Sequence, residues 1–247
     1  MTVERQNLMV GGRRCSLFCP CLRPSVSSPD TLVVQLVSLH QQEDLQREVE
    51  LLFSALGQLS AFHSPLSPLF VAVPIADWEL ELMPWAEPAV SSRPEVGSGA
   101  GETLLFLTEE LLPALSSLLS SAAPVVLGGY SLAGLFALWA ACQTDRFAVV
   151  AAGSPSLWAG DWPAYAAHNP MMAKQVYLSL GDREERSRNK TFARVGDRIR
   201  DEHQRLQQQL GMENTTLVWE QGGHFADPAA RMARAFVWCL ETMRGER

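Results

Sequence analysis

Three side-chain types that together perform acyl transfer stand apart in this chain: a serine, a histidine and a group of carboxylates. Ser131 lies in GGYSLAGLFALWA, residues 128–140. A hydroxyl is a weak nucleophile, so a nucleophilic serine needs a sharp strand-to-helix turn that exposes it and leaves the next N–H free for an oxyanion. Gly129 and Ala133, two residues to either side, are small enough for such a turn, although Ala133 stands where the G-x-S-x-G pattern has its second glycine. His224 lies in EQGGHFADP, on a stretch loosened by Gly222 and Gly223. An imidazole titrates near neutrality and can take the serine proton as a general base. Between the two in sequence, LSLGDREERSRNK offers Asp182, Glu184 and Glu185, any of which could orient that imidazole. Glu184, three residues past Gly181, is favoured, and a serine–histidine pair without an acid stays open. At least two of the three acids are expected to be solvated and paired with Arg183, Arg186 and Arg188. His40, His63, His168 and His203 have no comparable setting and read as solvated or capping residues.

Such groups meet only if the elements before them end at one rim. Thr31–Val37, Leu69–Pro74, PVVLGG before Tyr130, Phe147–Gly153, Gln175–Gly181 and Thr215–Glu220 are short apolar runs of the kind buried inside a sheet. Between them, apolar residues recur at three- and four-residue steps: Leu45 to Leu56 with Gly57 as a C-terminal cap, Thr103–Ser121, Leu132–Ala141, Val195–Leu210, and a last helix starting near Pro228 with Met232, Phe236 and Leu240. Strands alternating with helices imply an α/β fold, a mostly parallel central sheet with helices on both faces, whose ligands collect at the carboxyl ends of the strands. Cys15–Phe18 reads as an edge strand within an N-terminal segment of strand and loop, residues 1–30. Ile75–Gly101, with Trp78, Trp85 and several prolines, reads as a long binding or covering loop.

The chain has 247 residues, 47% of them hydrophobic, enough for one domain spanning residues 1–247. A net charge of −7 with no dense basic block argues against nucleic acid and anionic membranes as partners. No apolar run has the length of a membrane helix or signal-peptide core, which points to a cytoplasmic protein. Five cysteines read as reduced thiols; Cys15, Cys19 and Cys21 lack a fourth ligand and the usual spacing for zinc, so no metal and no cofactor are expected.

Taken in order, GGYSLAGLFALWA, AAGSPSLWAGDW, SLGDREERSRNK and GGHFADP resemble the α/β-hydrolase superfamily, and within it the esterases related to enterochelin (siderophore) esterases and esterase D. IADWELELMPW looks like the loop after the third strand in small members of that group. The likeness runs from about Leu32 to the C-terminus. It implies Ser131 as nucleophile, His224 as base and then acid, and one of the three carboxylates as orienter. It also implies an oxyanion hole from the N–H of Leu132 and one in the loop Ile75–Trp78, Ala76 being chosen. Trp78, Tyr130 and Trp158 are the implied substrate-pocket residues. The separate N-terminal domain of several enterochelin esterases is not expected here, and no arginine-rich pocket for a catecholate is readable, so hydrolase chemistry is expected to carry over rather than siderophore cleavage. The expected activity is hydrolysis of a small-molecule carboxylic ester through an acyl-enzyme. An acyltransferase or thioesterase would use the same nucleophile, and a non-catalytic hydrolase-like binding protein is the reading from another class.

Overall fold

The computed structural model describes residues 3–19, 28–39, 42–59, 66–86, 93, 96–97 and 99–244. His40, His63, Cys21 and part of the 75–101 stretch lie outside the described residues. The strands are β1 (Glu4–Val10), β2 (Arg13–Cys19), β3 (Thr31–Ser38), β4 (Pro68–Ile75), β5 (Val125–Tyr130), β6 (Val149–Gly153), β7 (Gln175–Gly181) and β8 (Thr215–Glu220). The helices are α1 (Gln42–Leu59), α2 (Trp78–Leu82), α3 (Ala100–Leu105), α4 (Leu112–Leu115), α5 (Leu132–Gln143), α6 (Trp162–His168), α7 (Lys190–Ala193), α8 (Val195–Leu210) and α9 (Pro228–Met243). A π-helical stretch, Phe106–Leu111, joins α3 to α4.

The eight strands form one sheet in the order β1-β2-β4-β3-β5-β6-β7-β8. β1 pairs with β2, and β2 with β4, antiparallel; every other pairing is parallel. This is the α/β-hydrolase fold. Parallel strands connected by helices are covered on both faces, which is why β3 reads TLVVQLVS and is buried over all but its last residue. α1 and α9 pack on one face through Leu45, Val49, Phe53, Met232 and Phe236. α5 and α8 pack on the other with Leu135, Phe136, Ile199 and Leu206. α5 has ten of twelve residues buried, and a helix apolar on every side must lie inside the molecule. It anchors the turn from which it starts.

Several expectations need correction. Cys15–Phe18 belongs to β2, which is flanked on both sides; the edge is β1, a polar strand joined to β2 through Gly11 and Gly12. Gly57 lies within α1, which runs on to Leu59. The stretch from 75 to 101 is not all loop, since it contains α2 and the start of α3. Between β6 and β7 the chain adds α6, a helix not assigned from sequence, with Pro163 in its first turn. Cys15, Cys19, Cys142 and Cys239 are buried thiols outside any disulfide; burial pushes the Cys15 thiol up to about 11 and the Cys142 thiol to about 12. Among the described residues no helix is long and apolar enough to cross a membrane.

Candidate active site

Ser131 occupies the turn from β5 into α5 with φ 60° and ψ −118°, a conformation that side chains with a Cβ rarely adopt. Neighbouring backbone holds it there. Its N–H donates to Gly153 O at 2.8 Å, and its carbonyl accepts from Leu135 N at 3.1 Å and Ser156 N at 3.1 Å. Gly129 shows why the turn excludes a larger residue: a Cβ there would lie 2.5 Å from the Ala133 carbonyl and 2.6 Å from its Cβ. Helix and strand approach that closely only with glycine at 129 and a small residue at 133.

The serine hydroxyl lies 3.0 Å from His224 Nε2, and His224 Nδ1 lies 2.7 Å from Glu184 Oε2. Three strand ends therefore converge, β5 with Ser131, β7 with Glu184 and β8 with His224. Glu184 is 6% exposed and His224 30%. The remaining Glu184 oxygen, Oε1, accepts from Ser154 Oγ at 2.7 Å, Gly181 N at 2.8 Å and Arg231 Nη1 at 3.3 Å. Burial alone would push this carboxyl up, but the hydrogen bonds from His224 and Ser154, the His224 charge and the Gly181 N–H outweigh it and hold it below its ordinary value. The other two acids face elsewhere. Asp182 Oδ1 accepts the Gly222 N–H at 2.8 Å and so fastens the histidine loop, while Glu185 pairs with Arg200 of α8 at 2.7 Å. The expected pairing with Arg183, Arg186 and Arg188 is replaced by contacts distant in sequence.

A cavity of about 420 Å³ opens beside Ser131 and His224, walled by Trp158, Phe192, Val195 and Phe225 with Arg183 at its edge. Trp158 and Phe192 pack with ring centroids 4.5 Å apart. Trp158 thus lines the cavity beside Ser131, whereas Trp78 and Tyr130 are not among its lining residues. Trp78 packs half-buried against the core, and the Tyr130 hydroxyl donates to His224 O at 2.7 Å, a contact that positions the loop. Leu132, the first residue of α5, has an N–H ahead of the helical ladder and next to the serine. Ala76 does not fit its expected part: its N–H donates to Glu81 Oε1 at 2.9 Å, as does that of Asp77 at 2.8 Å. Ala76 lines a separate cleft of about 1040 Å³ beside the β1–β2 hairpin, which holds neither Ser131 nor His224. That cleft gathers Arg5 and the adjacent pair Arg13 and Arg14 beside Asp77, Glu81 and Glu102.

Residues 52–232 match the family model Esterase, described as "Putative esterase". The chain belongs to that esterase family. No curated protein matches this esterase in sequence. Among solved structures, a siderophore hydrolase, EstA, from Aspergillus nidulans superposes with a TM-score of 0.71 at 18% identity, covering 97% of this chain and 94% of that one. An IroE-like serine hydrolase from Shewanella oneidensis gives 0.70 at 19% identity, over 96% and 79%. The BES protein from Bacillus cereus gives 0.63 at 18%, over 95% and 94%. At such identities the likeness is one of fold, and it agrees with the sheet order. The family match carries the activity class: this esterase is an ester hydrolase.

Sequence reading missed Ser154 and Arg231. Ser154 is buried at the end of β6 with φ 40°, and only a contact across 30 residues gives it a role. Arg231 sits in the helical pattern of α9 as one more polar residue; the signal available was its place in the first turn, where a cation is disfavoured.

Proposed function

We propose that the protein is a serine esterase that cleaves a carboxylic ester through an acyl-enzyme, with Ser131 as nucleophile, His224 as general base and Glu184 as orienting carboxylate. The observation that carries this reading is the continuous chain Ser131 Oγ–His224–Glu184, with contacts of 3.0 and 2.7 Å. As Ser131 Oγ attacks the ester carbonyl, His224 Nε2 takes its proton. The carboxylate at Nδ1 fixes the tautomer and stabilises the imidazolium. Charge develops on the carbonyl oxygen next to the Leu132 N–H, and a donor so aimed typically contributes about 3 kcal/mol. The tetrahedral species collapses as His224 returns the proton to the leaving alkoxide. Water, deprotonated by the same imidazole, then releases the acid and restores Ser131. The 420 Å³ cavity walled by Trp158, Phe192 and Phe225 suits an apolar acyl or alcohol group.

The chain is read as one hydrolase domain, since a single sheet draws strands from Glu4 to Glu220. Its buried cysteines outside any disulfide fit the reducing cytoplasm. The test combines fluorophosphonate labelling with p-nitrophenyl esters of increasing chain length. Wild type is expected to be labelled and active, with Ser131→Ala and His224→Ala both silent. Ester cleavage retained by folded Ser131→Ala overturns the assignment.

A further inference from the structure

Arg231 is 1% exposed, one of the largest side chains fully inside the molecule. Two penalties attach to it there. It is a charge withdrawn from water, it lies in the first turn of α9 where the helix dipole repels a cation, and an apolar residue would fill the space without either penalty. Its contacts account for its presence. Nη1 lies 2.9 Å from Tyr130 OH, 3.3 Å from Glu184 Oε1 and 3.4 Å from Ser154 Oγ; Nη2 donates to Gln221 O at 3.1 Å and Gly223 O at 3.0 Å. Side chains on a helix lean toward its N-terminus, so a residue one turn into α9 reaches back over the loop that has just delivered His224. One guanidinium thereby touches residues at the carboxyl ends of β5, β6, β7 and β8, four adjacent strands, where Ser131, Glu184 and His224 also stand.

We propose that Arg231 is the positioning residue of the site, a buried cation that ties four strand ends together and holds Glu184 and the His224 loop in register with Ser131. The inference rests on the reading of Ser131, His224 and Glu184 given above. Arg231 touches no reacting atom in this scheme. It acts through Glu184, whose Oε1 it shares with Ser154 and Gly181 so that Oε2 is left to the imidazole. It also acts through Tyr130, whose hydroxyl lies against Nη1 and donates to the His224 carbonyl. Only a planar fork with several donors can span these partners, and a lysine ammonium reaches a subset of them.

The charge of Arg231 supplies a readout that packing alone would not. The charged groups around His224 are Glu184 from the β7 end, Arg231 from α9 and Arg183 at the cavity edge. Farther along the loop Asp182 faces the Gly222 N–H, Glu220 pairs with Arg234 of α9, and Asp227 with Arg47 of α1. Tyr130, against the same loop, is held neutral because burial raises it. Removing the Arg231 cation leaves Glu184 unopposed and favours the imidazolium, so the acid limb of kcat/KM moves to higher pH.

The experiment compares Arg231→Lys, Arg231→Met and Tyr130→Phe with wild type on p-nitrophenyl acetate, following kcat, KM, the pH–rate profile and thermal melting. Arg231→Lys is expected to melt as a folded protein, to lose about 10- to 100-fold in kcat with KM changed less than about 3-fold, and to keep its acid limb in place. Arg231→Met is expected to lose more and to shift the limb upward by about half a pH unit or more. Tyr130→Phe should lower kcat by about 3- to 10-fold without altering the limb. Wild-type kcat in Arg231→Lys, or a folded Arg231→Met whose limb has not moved, overturns the proposal. If Arg231→Met does not fold, Arg231→Lys and Tyr130→Phe decide, and wild-type kcat in either one overturns it. Ser131→Ala runs alongside: activity there removes the nucleophile itself, whereas a dead Ser131→Ala beside fully active Arg231 variants removes only the role of Arg231.

Discussion

Among individual residues, Glu184 shows how one carboxylate is selected from three. Asp182 and Glu185 are close in sequence, yet one fastens a glycine N–H and the other a distant arginine, and only Glu184 meets the imidazole. Glu184→Gln preserves shape but removes the charge that fixes the tautomer, so kcat on p-nitrophenyl acetate should fall by about 10²- to 10⁴-fold. Glu185→Gln should stay near wild type. The same carboxylate links pH to stability. Its folded value is depressed below the ordinary 4.5, so its contribution is complete above the unfolded carboxyl value and is lost as pH falls through the lower folded one. Urea midpoints measured from neutrality down to about pH 3 should therefore fall more steeply in wild type than in Glu184→Gln. Equal slopes would show that the hydrogen bonds to Glu184 do not favour its ionised form.

At the scale of elements, the strand-to-helix turn at Ser131 depends on two backbones in near contact. Gly129→Ala would bring a methyl group to 2.5 Å from the Ala133 carbonyl, so α5 must retreat from β5. We expect a loss of about 1–3 kcal/mol in stability and a larger proportional loss of kcat, because the displaced segment carries Ser131 and the Leu132 N–H. Gly101→Ala is the contrast: nothing lies within 4 Å of the new methyl, and inside α3 alanine should stabilise by about 0.5–1 kcal/mol with activity unchanged. Thermal melts and esterase rates of the two variants check both signs. These elements also mark what could be read from sequence. The buried parallel strands announce themselves as unbroken apolar runs, and the helices between them as three- and four-residue periodicity, so six strands and the main helices were legible. β1 was not, because ERQNLMV is largely exposed and carries no apolar pattern; its signal was the Gly11-Gly12 hairpin turn. Serine and histidine were legible because their glycine-rich settings are local. Ser154, Arg231 and the engagement of Ala76 by Glu81 were not, since each depends on a contact that only the folded chain creates.

Taken as a whole, the molecule places Ser131, Glu184 and His224 in the half of the sheet from β5 to β8, while the antiparallel β1–β2 edge borders a different cleft. The acidic net charge agrees with a small ester substrate rather than a polyanion. Three non-glycine residues among those described have positive φ, and they ring the site: Ser131, Ser154 and Asp227, three residues beyond His224. Strain of this kind costs about 1–3 kcal/mol per residue and must be met by stability elsewhere in the fold. Ser131→Ala keeps the Cβ and with it the strain, whereas Ser131→Gly is free to occupy φ 60° and gives up only about 1 kcal/mol to the greater freedom of its unfolded chain. An inert glycine variant should thus melt as high as its active parent or a few degrees above it, and above the alanine variant. With Ser131 as the proposed nucleophile, activity is maintained against thermodynamic preference: a population selected for heat resistance alone would drift toward the residue that cannot react.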